Sequence, residues 1–528
     1  MQGVMILMMS QLIIKIAGLI YKIYLTNKEG FGDTGNAIYS AGFQMYSLFL
    51  AISSIGVPNA ISQLISSKVA VGDNRGAYRI FKIAISIFGL IGFIGSTILF
   101  LYSKQIAVSY LGIPETELVI MSLAPSVFVV AVSSVLRGYF NGIEKISVTA
   151  HSQSIEQILK TIGTIIIVEI IAYISKDDTI VMVASAATIS TLATFFSFGY
   201  LYYAYIRNKR SIWKDVITST VQEKESITKI IKSILYLSLP MAFTALLSAT
   251  NRTVDAFSIV NIISKFMTVE EATMQYGILT GKIESLVVLP YSFNIAFSIS
   301  LIPVISASKA RGELDQATKR ISFSILATIL IALPCTAIFY FFSDQILKLL
   351  FPNAYLGGKM LKLASLSIIF VTVAQTIGGV MQGLKKVKEP AIAIGLGALV
   401  KTILNFILLP IESINIYGAI IATLVGHITT FIISIYYLKK YIDIDLNITK
   451  FIIKPTIASI VMITCARFSY INIKISHMAN INLIFSLFVG IITYIIAIIC
   501  LKILSKEDVN MLPYLNKVIK IRDKKCLK

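Results

Sequence analysis

Ten charged side chains lie inside stretches that are otherwise apolar over bilayer-crossing lengths: Lys15, Lys22, Glu156, Lys160, Glu169, Arg252, Asp255, Lys282, Glu284 and Lys401. A charge at mid-bilayer costs roughly 2.5–3.5 kcal/mol even on a lenient insertion scale, so these groups must pair, face a wet interior or snorkel to an interface. Six are cations and four are anions. An excess of cations favours a cationic, water-filled cavity over a set of closed ion pairs.

Spacing separates the cases. Gln11, Lys15, Gly18 and Lys22 recur at intervals of four, three and four, which places them on one helical face. That polar stripe is the strongest local sign of a cavity lining. Glu156 and Lys160 stand at i and i+4, the favourable order for an ion pair. Arg252 and Asp255, at i and i+3 beside Asn251, either lock helices together or contribute to the cavity. Lys282 and Glu284 are two apart and point to different sides, with Lys282 the better cavity candidate. Glu169 falls near a helix end, at the interface.

Other chemistry finds no foothold. Nothing matches GxxxxGK[ST], so ATP is not the driver; an ion gradient, the membrane potential or the substrate's own gradient remains. No HExxH, nucleophile elbow or carboxylate cluster points to an enzyme. Cys335, Cys465, Cys500 and Cys526 form no CxxC pair, and His151, His427 and His477 are far apart. Neither a metal nor a cofactor is expected. Lys15 and Lys22 interrupt the first apolar segment, which lacks a basic leader and does not read as a cleavable signal.

The elements that carry these residues are transmembrane helices. The chain has 528 residues, 56% of them hydrophobic. About 20 apolar residues cross the hydrocarbon core. Fourteen spans fit, at about 5–26, 38–67, 80–102, 118–140, 152–174, 180–205, 230–261, 275–307, 321–343, 362–383, 391–411, 416–438, 451–472 and 480–504. The net charge of +20 would suggest nucleic acid in a soluble chain. Its placement excludes that. When cations beside a span end are counted with the adjoining connection, 32 Lys/Arg lie on one side and 9 on the other. Cytoplasmic connections carry the excess, which predicts both termini inside a plasma membrane. The basic tail from Lys517 to Lys528 would then rest near anionic headgroups or in solvent.

The chain also repeats weakly at a spacing of about 240 residues. Gly72 and Asp73 after the second span correspond to Gly312 and Glu313 after the eighth. Asn141-Gly-Ile-Glu-Lys145 corresponds to Gln382-Gly-Leu-Lys-Lys386, and Lys160-Thr161 to Lys401-Thr402. Six helices per repeat make the two lobes parallel, and transporters built so bind substrate between them. The expected organisation is an all-α polytopic membrane protein. It has an N-terminal lobe 1–206, a cytoplasmic linker 207–229, a C-terminal lobe 230–440, two further helices within 441–505 and a basic tail 506–528. Gly56 and Pro58 interrupt the second span, and Pro290 and Pro303 the eighth, as candidate hinges.

Taken in order, Ile16-Ala-Gly-Leu-Ile-Tyr-Lys-Ile-Tyr-Leu25, Gly56-Val-Pro-Asn-Ala-Ile-Ser-Gln63, Gly72-Asp-Asn-Arg75-Gly-Ala, Tyr276-Gly-Ile-Leu-Thr-Gly281 and Leu301-Ile-Pro-Val-Ile-Ser306 resemble a known set. The chain resembles the lipid-linked oligosaccharide flippases of the MOP superfamily over nearly its whole length. Its nearest likeness is to the MurJ and SpoVB-like polysaccharide biosynthesis branch of Gram-positive bacteria. The resemblance implies a MATE-like monomer of two six-helix lobes in a V around a cationic cavity, with a groove for a polyprenyl tail beside the last two helices. It implies a lipid-linked oligosaccharide such as lipid II as cargo, with membrane lipids as surroundings. The cargo's pyrophosphate would meet Lys15, Lys22 and Lys282. Lys160, Lys401 and Arg252 would add charge, with Gln11, Glu156, Asp255 and Glu284 as polar or pairing groups.

One departure is plain: this family often carries an arginine in the second helix, and Tyr39 to Ile65 here contains neither Lys nor Arg. The cargo therefore stays open between lipid II and another undecaprenyl-linked glycan. The rival readings are a cation-coupled multidrug antiporter, which would favour an acidic interior, and a membrane glycan polymerase or ligase, which would need a large outward loop. The coupling ion is not specified by these residues.

Overall fold

The computed structural model describes residues 17–508 apart from 55, 220–224, 293, 295–297, 299–304, 306–313, 385, 387, 445–446, 474–477 and 506–507, and apart from the side chains at 240, 241, 244, 248 and 314–316. Gln11, Lys15 and Pro303 lie outside the described residues, as do Gly312, Glu313 and the tail beyond 508. Among the described residues every regular element is a helix. The main ones are α1 (17–27), α2 (Gly32–Ser53), α3 (Val57–Ala70), α4 (Asn74–Leu101), α5 (Glu117–Gly142), α6 (Ile146–Ser175), α7 (Thr179–Ile217) and α8 (Ile227–Ile263). Then follow α9 (Val269–Gly277), α10 (Leu314–Phe341), α11 (Ser343–Leu350), α12 (Gly358–Ser365), α13 (Ser367–Gly383), α14 (Lys388–Leu408), α15 (Tyr417–Tyr441), α16 (Lys454–Asn472) and α17 (Ala479–Cys500). Helix α9 runs on through a wider π turn, Ile278–Ile283.

Eleven helical spans among the described residues are long and apolar enough to cross a membrane. They coincide with the second to sixth and ninth to fourteenth expected spans, so the chain is an all-helical, multi-pass membrane protein. The first and eighth expected spans run through residues outside the described set. The seventh is α8, a 37-residue helix about 55 Å long at 1.5 Å per residue.

Local chemistry sets the helix boundaries. Asp73 caps α4 by accepting from the Gly76 N–H, and Asp178 caps α7 by accepting from Ile180 and Val181. Ser226 does the same for α8, while Thr268 and Glu271 form a reciprocal capping box at α9. The second expected span is interrupted between Ser53 and Val57, where Gly56 caps α3 and Pro58 sits in its first turn. A proline there lacks only an N–H that would have no partner anyway. Pro290 is buried.

Burial follows the bilayer rather than water. Helix α17 exposes Ile484, Phe488, Ile491, Ile492, Ile495 and Ile499 in a helical stripe. A soluble protein would cover such a patch, whereas acyl chains solvate it.

By contacts the chain divides into two compact units, Met1–Ser285 with Ala398–Ala422, and Leu286–Gly397 with Thr423–Lys528. In the first, Val57, Ile61 and Ile65 of α3 pack with Ile80 and Phe81 of α4, Val135 and Phe140 of α5, and Ile234 of α8. Gly138 and Gly142 let α5 approach α3: a Cβ on either would stand 2.8 Å from Ile61 or Ile65. In the second, Ile321, Ile325 and Leu326 of α10 pack with Ile377 and Val380 of α13, Met462 of α16 and Tyr494 of α17.

Candidate functional site

Three kinds of cation occupy the interior of the first unit, and their partners separate them. Lys282 is fully buried and its ammonium lies 2.9 Å from the Asp33 carboxylate at the start of α2. Backbone proximity makes this reach possible. Gly277 and Gly281, four residues apart, face α2 so closely that a Cβ on Gly277 would overlap the Asp33 carbonyl oxygen. A Cβ on Gly281 would meet Asn36 at 2.8 Å. The glycines bring the helices together, and the following lysine pairs across the seam.

Lys401 of α14 donates to the Asp255 carboxylate of α8 at 2.6 Å and also to the Asn251 carbonyl. Asn405, one turn on, donates to the other Asp255 oxygen at 2.7 Å and to Ser258 at 3.2 Å. All four side chains are buried. This corrects the expected local relation of Arg252 with Asp255. The carboxylate is taken by a helix distant in sequence, and Arg252 is exposed.

Lys22 and Lys160 are different. Lys22 of α1 donates to neutral oxygens, Asn36 Oδ1 at 3.3 Å and Ser40 Oγ at 3.5 Å. Lys160 of α6 lies over the rings of Phe43, Tyr39 and Tyr21 at 5.0, 5.7 and 5.9 Å. Lys22 lies 5.9 Å from the same Tyr39 ring. Two ammonium groups thus converge on one α2 tyrosine, whose hydroxyl lies 3.0 Å from Ser190 Oγ of α7. Both lysines are partly exposed, and among the described residues neither is in ion-pair contact with a carboxylate. Aromatic faces and amide or hydroxyl oxygens offset part of a cation's desolvation without supplying a counter-charge. Glu284 acts on Lys22 electrostatically, without an ion-pair contact.

Glu156 does not pair with Lys160, contrary to its i, i+4 spacing. Arg137 of α5 takes it at 2.8 Å and also donates to Ser152 and Ser197 at 3.2 and 3.0 Å. A guanidinium fork reaches across three helices, which a neighbouring ammonium on the same helix cannot do. Glu169 is held by Lys28 at 2.9 Å and by the Tyr24 hydroxyl. Glu284 is partly buried.

The helical arrangement and these motifs meet a sequence profile for polysaccharide biosynthesis proteins over residues 1–309, more than half of the chain. The chain belongs to the polysaccharide biosynthesis protein family. A MatE profile matches residues 279–407. Among relatives of this family, the lipid II flippase MurJ of Bacillus subtilis (strain 168) is 24% identical over 484 residues, covering 88% of this chain and 86% of MurJ. Stage V sporulation protein B of the same organism is 23% identical over 524 residues, 98% of each chain. The solved structure of lipid II flippase MurJ in an inward closed conformation superposes with a TM-score of 0.69 at 19% identity, covering 94% of this chain and 99% of that one. The fold of this chain is thus the one seen in that solved structure.

Arg137, Asp33, Asn36 and Tyr39 carry much of the geometry and were not singled out by the sequence. Arg137 stood close enough to a helix end to be grouped with the adjoining basic connection, and Asp33 read as a loop residue. Tyr39 is one of 25 tyrosines. The Gly277–Gly281 spacing was a usable signal for the Asp33 contact, since small residues four apart mark close helix approach.

Proposed function

We propose that this chain is a flippase for an undecaprenyl-pyrophosphate-linked glycan, lipid II or a related cell-wall or polysaccharide precursor. It moves its cargo from the inner to the outer leaflet by alternating access, without ATP. The observation that carries this reading is the convergence of Lys22 and Lys160 on Tyr39 with no carboxylate in ion-pair contact. A pyrophosphate needs cations that no carboxylate holds in an ion pair; among the described residues Lys22 and Lys160 meet that need, while Lys282 and Lys401 are engaged by carboxylates. By its spacing from Gly18 and Lys22, Lys15 extends the same polar stripe, and Arg252 adds exposed charge. The relatives' roles point the same way: MurJ is named a lipid II flippase. A cationic drug would instead seek a free carboxylate; Asp33, Asp255 and Glu156 are each in ion-pair contact with a cation, and Glu284 lies in the field of Arg252, Lys401 and Lys22.

In this reading Lys282–Asp33 and Lys401–Asp255 hold helices in register, and Gly56, Pro58, Pro290 and Pro303 are bending points. The working unit is a monomer of two six-helix lobes, 1–206 and 230–440, with both termini in the cytoplasm. Purified protein in liposomes loaded with lipid II on one leaflet tests the site. Lys22→Gln with Lys160→Gln should lose at least tenfold in flipping rate with an unchanged melting temperature, and Lys160→Arg should keep partial activity. Full activity in the double variant would end the anion-site assignment.

A further inference from the structure

A second basic site lies in the other unit, remote in sequence from the residues above. A cavity of about 190 Å³ is lined by Asn447, Thr449, Lys450, Lys454, Lys502, Ile503 and Ser505. It sits where the π turn Thr449–Ile453 leads into α16 and where α17 ends. Asp508 accepts from Lys450 at 2.8 Å and from the Ser505 hydroxyl at 2.7 Å, so one of the three lysines is already neutralised. Among the described residues Lys454 and Lys502 have no carboxylate in ion-pair contact. Lys502 also adopts φ 47°, immediately after the helix cap Leu501. Glycine is the ordinary residue at that left-handed position. A lysine there accepts backbone strain, and this one lines the cavity.

We propose that this cavity binds the phosphodiester headgroup of an anionic membrane lipid. The charge selects a phosphate; the flanks select a lipid over a soluble one. Ile448, Ile452, Ile453 and Ile499 are all exposed beside the cavity ends of α16 and α17. They offer acyl chains an apolar wall while the headgroup sits among the lysines. Basic pockets between transmembrane helices at the membrane boundary recognise headgroups by this combination.

The test uses the full chain in nanodiscs of phosphatidylglycerol diluted in phosphatidylcholine, with retained lipid counted by native mass spectrometry. Phosphatidylglycerol should be retained selectively, and retention should fall about fivefold for each of Lys454→Gln and Lys502→Gln. Lys502→Gly separates folding from binding, since it removes the charge and relieves the backbone: its retention should fall while its melting temperature holds or rises. Millimolar inorganic phosphate should leave retention unchanged. Unchanged retention in the Lys454→Gln, Lys502→Gln double variant overturns the site. Displacement of the lipid by inorganic phosphate overturns the assignment to a membrane lipid.

Discussion

Lys282 and Lys160 are both intramembrane lysines, yet their surroundings ask different things of them. Lys282 is fully buried against Asp33. Removing one member of such a pair leaves an uncompensated charge and costs about 3–5 kcal/mol. Lys282→Ala should therefore melt well below the parent in detergent, and so should Asp33→Ala. The double substitution Lys282→Met with Asp33→Leu should recover most of that loss, because both charges leave together. A parent-like melting curve for Lys282→Ala would mean that the pair contributes nothing to the fold. Lys160 rests on three aromatic rings, an arrangement worth about 0.5–2 kcal/mol. Lys160→Met should change thermal stability little and transport strongly. The same pair of measurements on the two lysines thus tests whether one is structural and the other acts in transport.

Helices in a bilayer gain little from burying apolar surface, so close backbone approach and polar contacts hold them together. The seam between α2 and the α9 region shows how much one hydrogen atom matters. Gly277→Ala would drive a methyl group into the Asp33 carbonyl oxygen. The helices must then separate, and Lys282 loses its reach. Expected is a fall in melting temperature comparable to that of Lys282→Ala, non-additive with it because both break the same contact. Gly199 of α7 is the control, since a Cβ there meets nothing within 4 Å. Gly199→Ala should be neutral or stabilising by up to about 1 kcal/mol. Equal behaviour of the two alanine variants would show that the seam tolerates a wider spacing. The i, i+4 glycines of α5 against Ile61 and Ile65 follow the same rule.

For the whole molecule, topology and driving force are the testable properties. With the native cysteines removed, single cysteines placed between residues 27 and 35 should label from outside intact cells. Those between 208 and 219 should label only after permeabilisation. Outside labelling of the latter would reverse the orientation. With the cytoplasm negative, a cargo bearing two negative charges gains energy moving outward, about 2.3 kcal/mol per charge per 100 mV. The protein's lysines stay behind, so collapsing the potential should slow flipping in proteoliposomes. An unchanged rate would mean that a co-moving cation cancels the cargo's charge.

The membrane class, the helical fold and the family were legible in the sequence because each rests on quantities summed over many residues. Span length, hydropathy and motif order tolerate local error. The placement of individual charges was less so. The i, i+4 spacing of Glu156 and Lys160 favoured a pair, but Arg137 from another helix took the carboxylate, since its longer, forked side chain satisfies several acceptors at once. The weak sequence repeat matches Lys160 with Lys401, yet one lies over aromatic rings and the other is closed on Asp255. A repeat conserves backbone path, whereas a charge is assigned by whichever side chains the neighbouring helices bring to it. Sequence could name the cations of the interior. Only the tertiary surroundings of Tyr39, Asp33 and Asp255 decided which of them lie over aromatic rings and which close on a carboxylate.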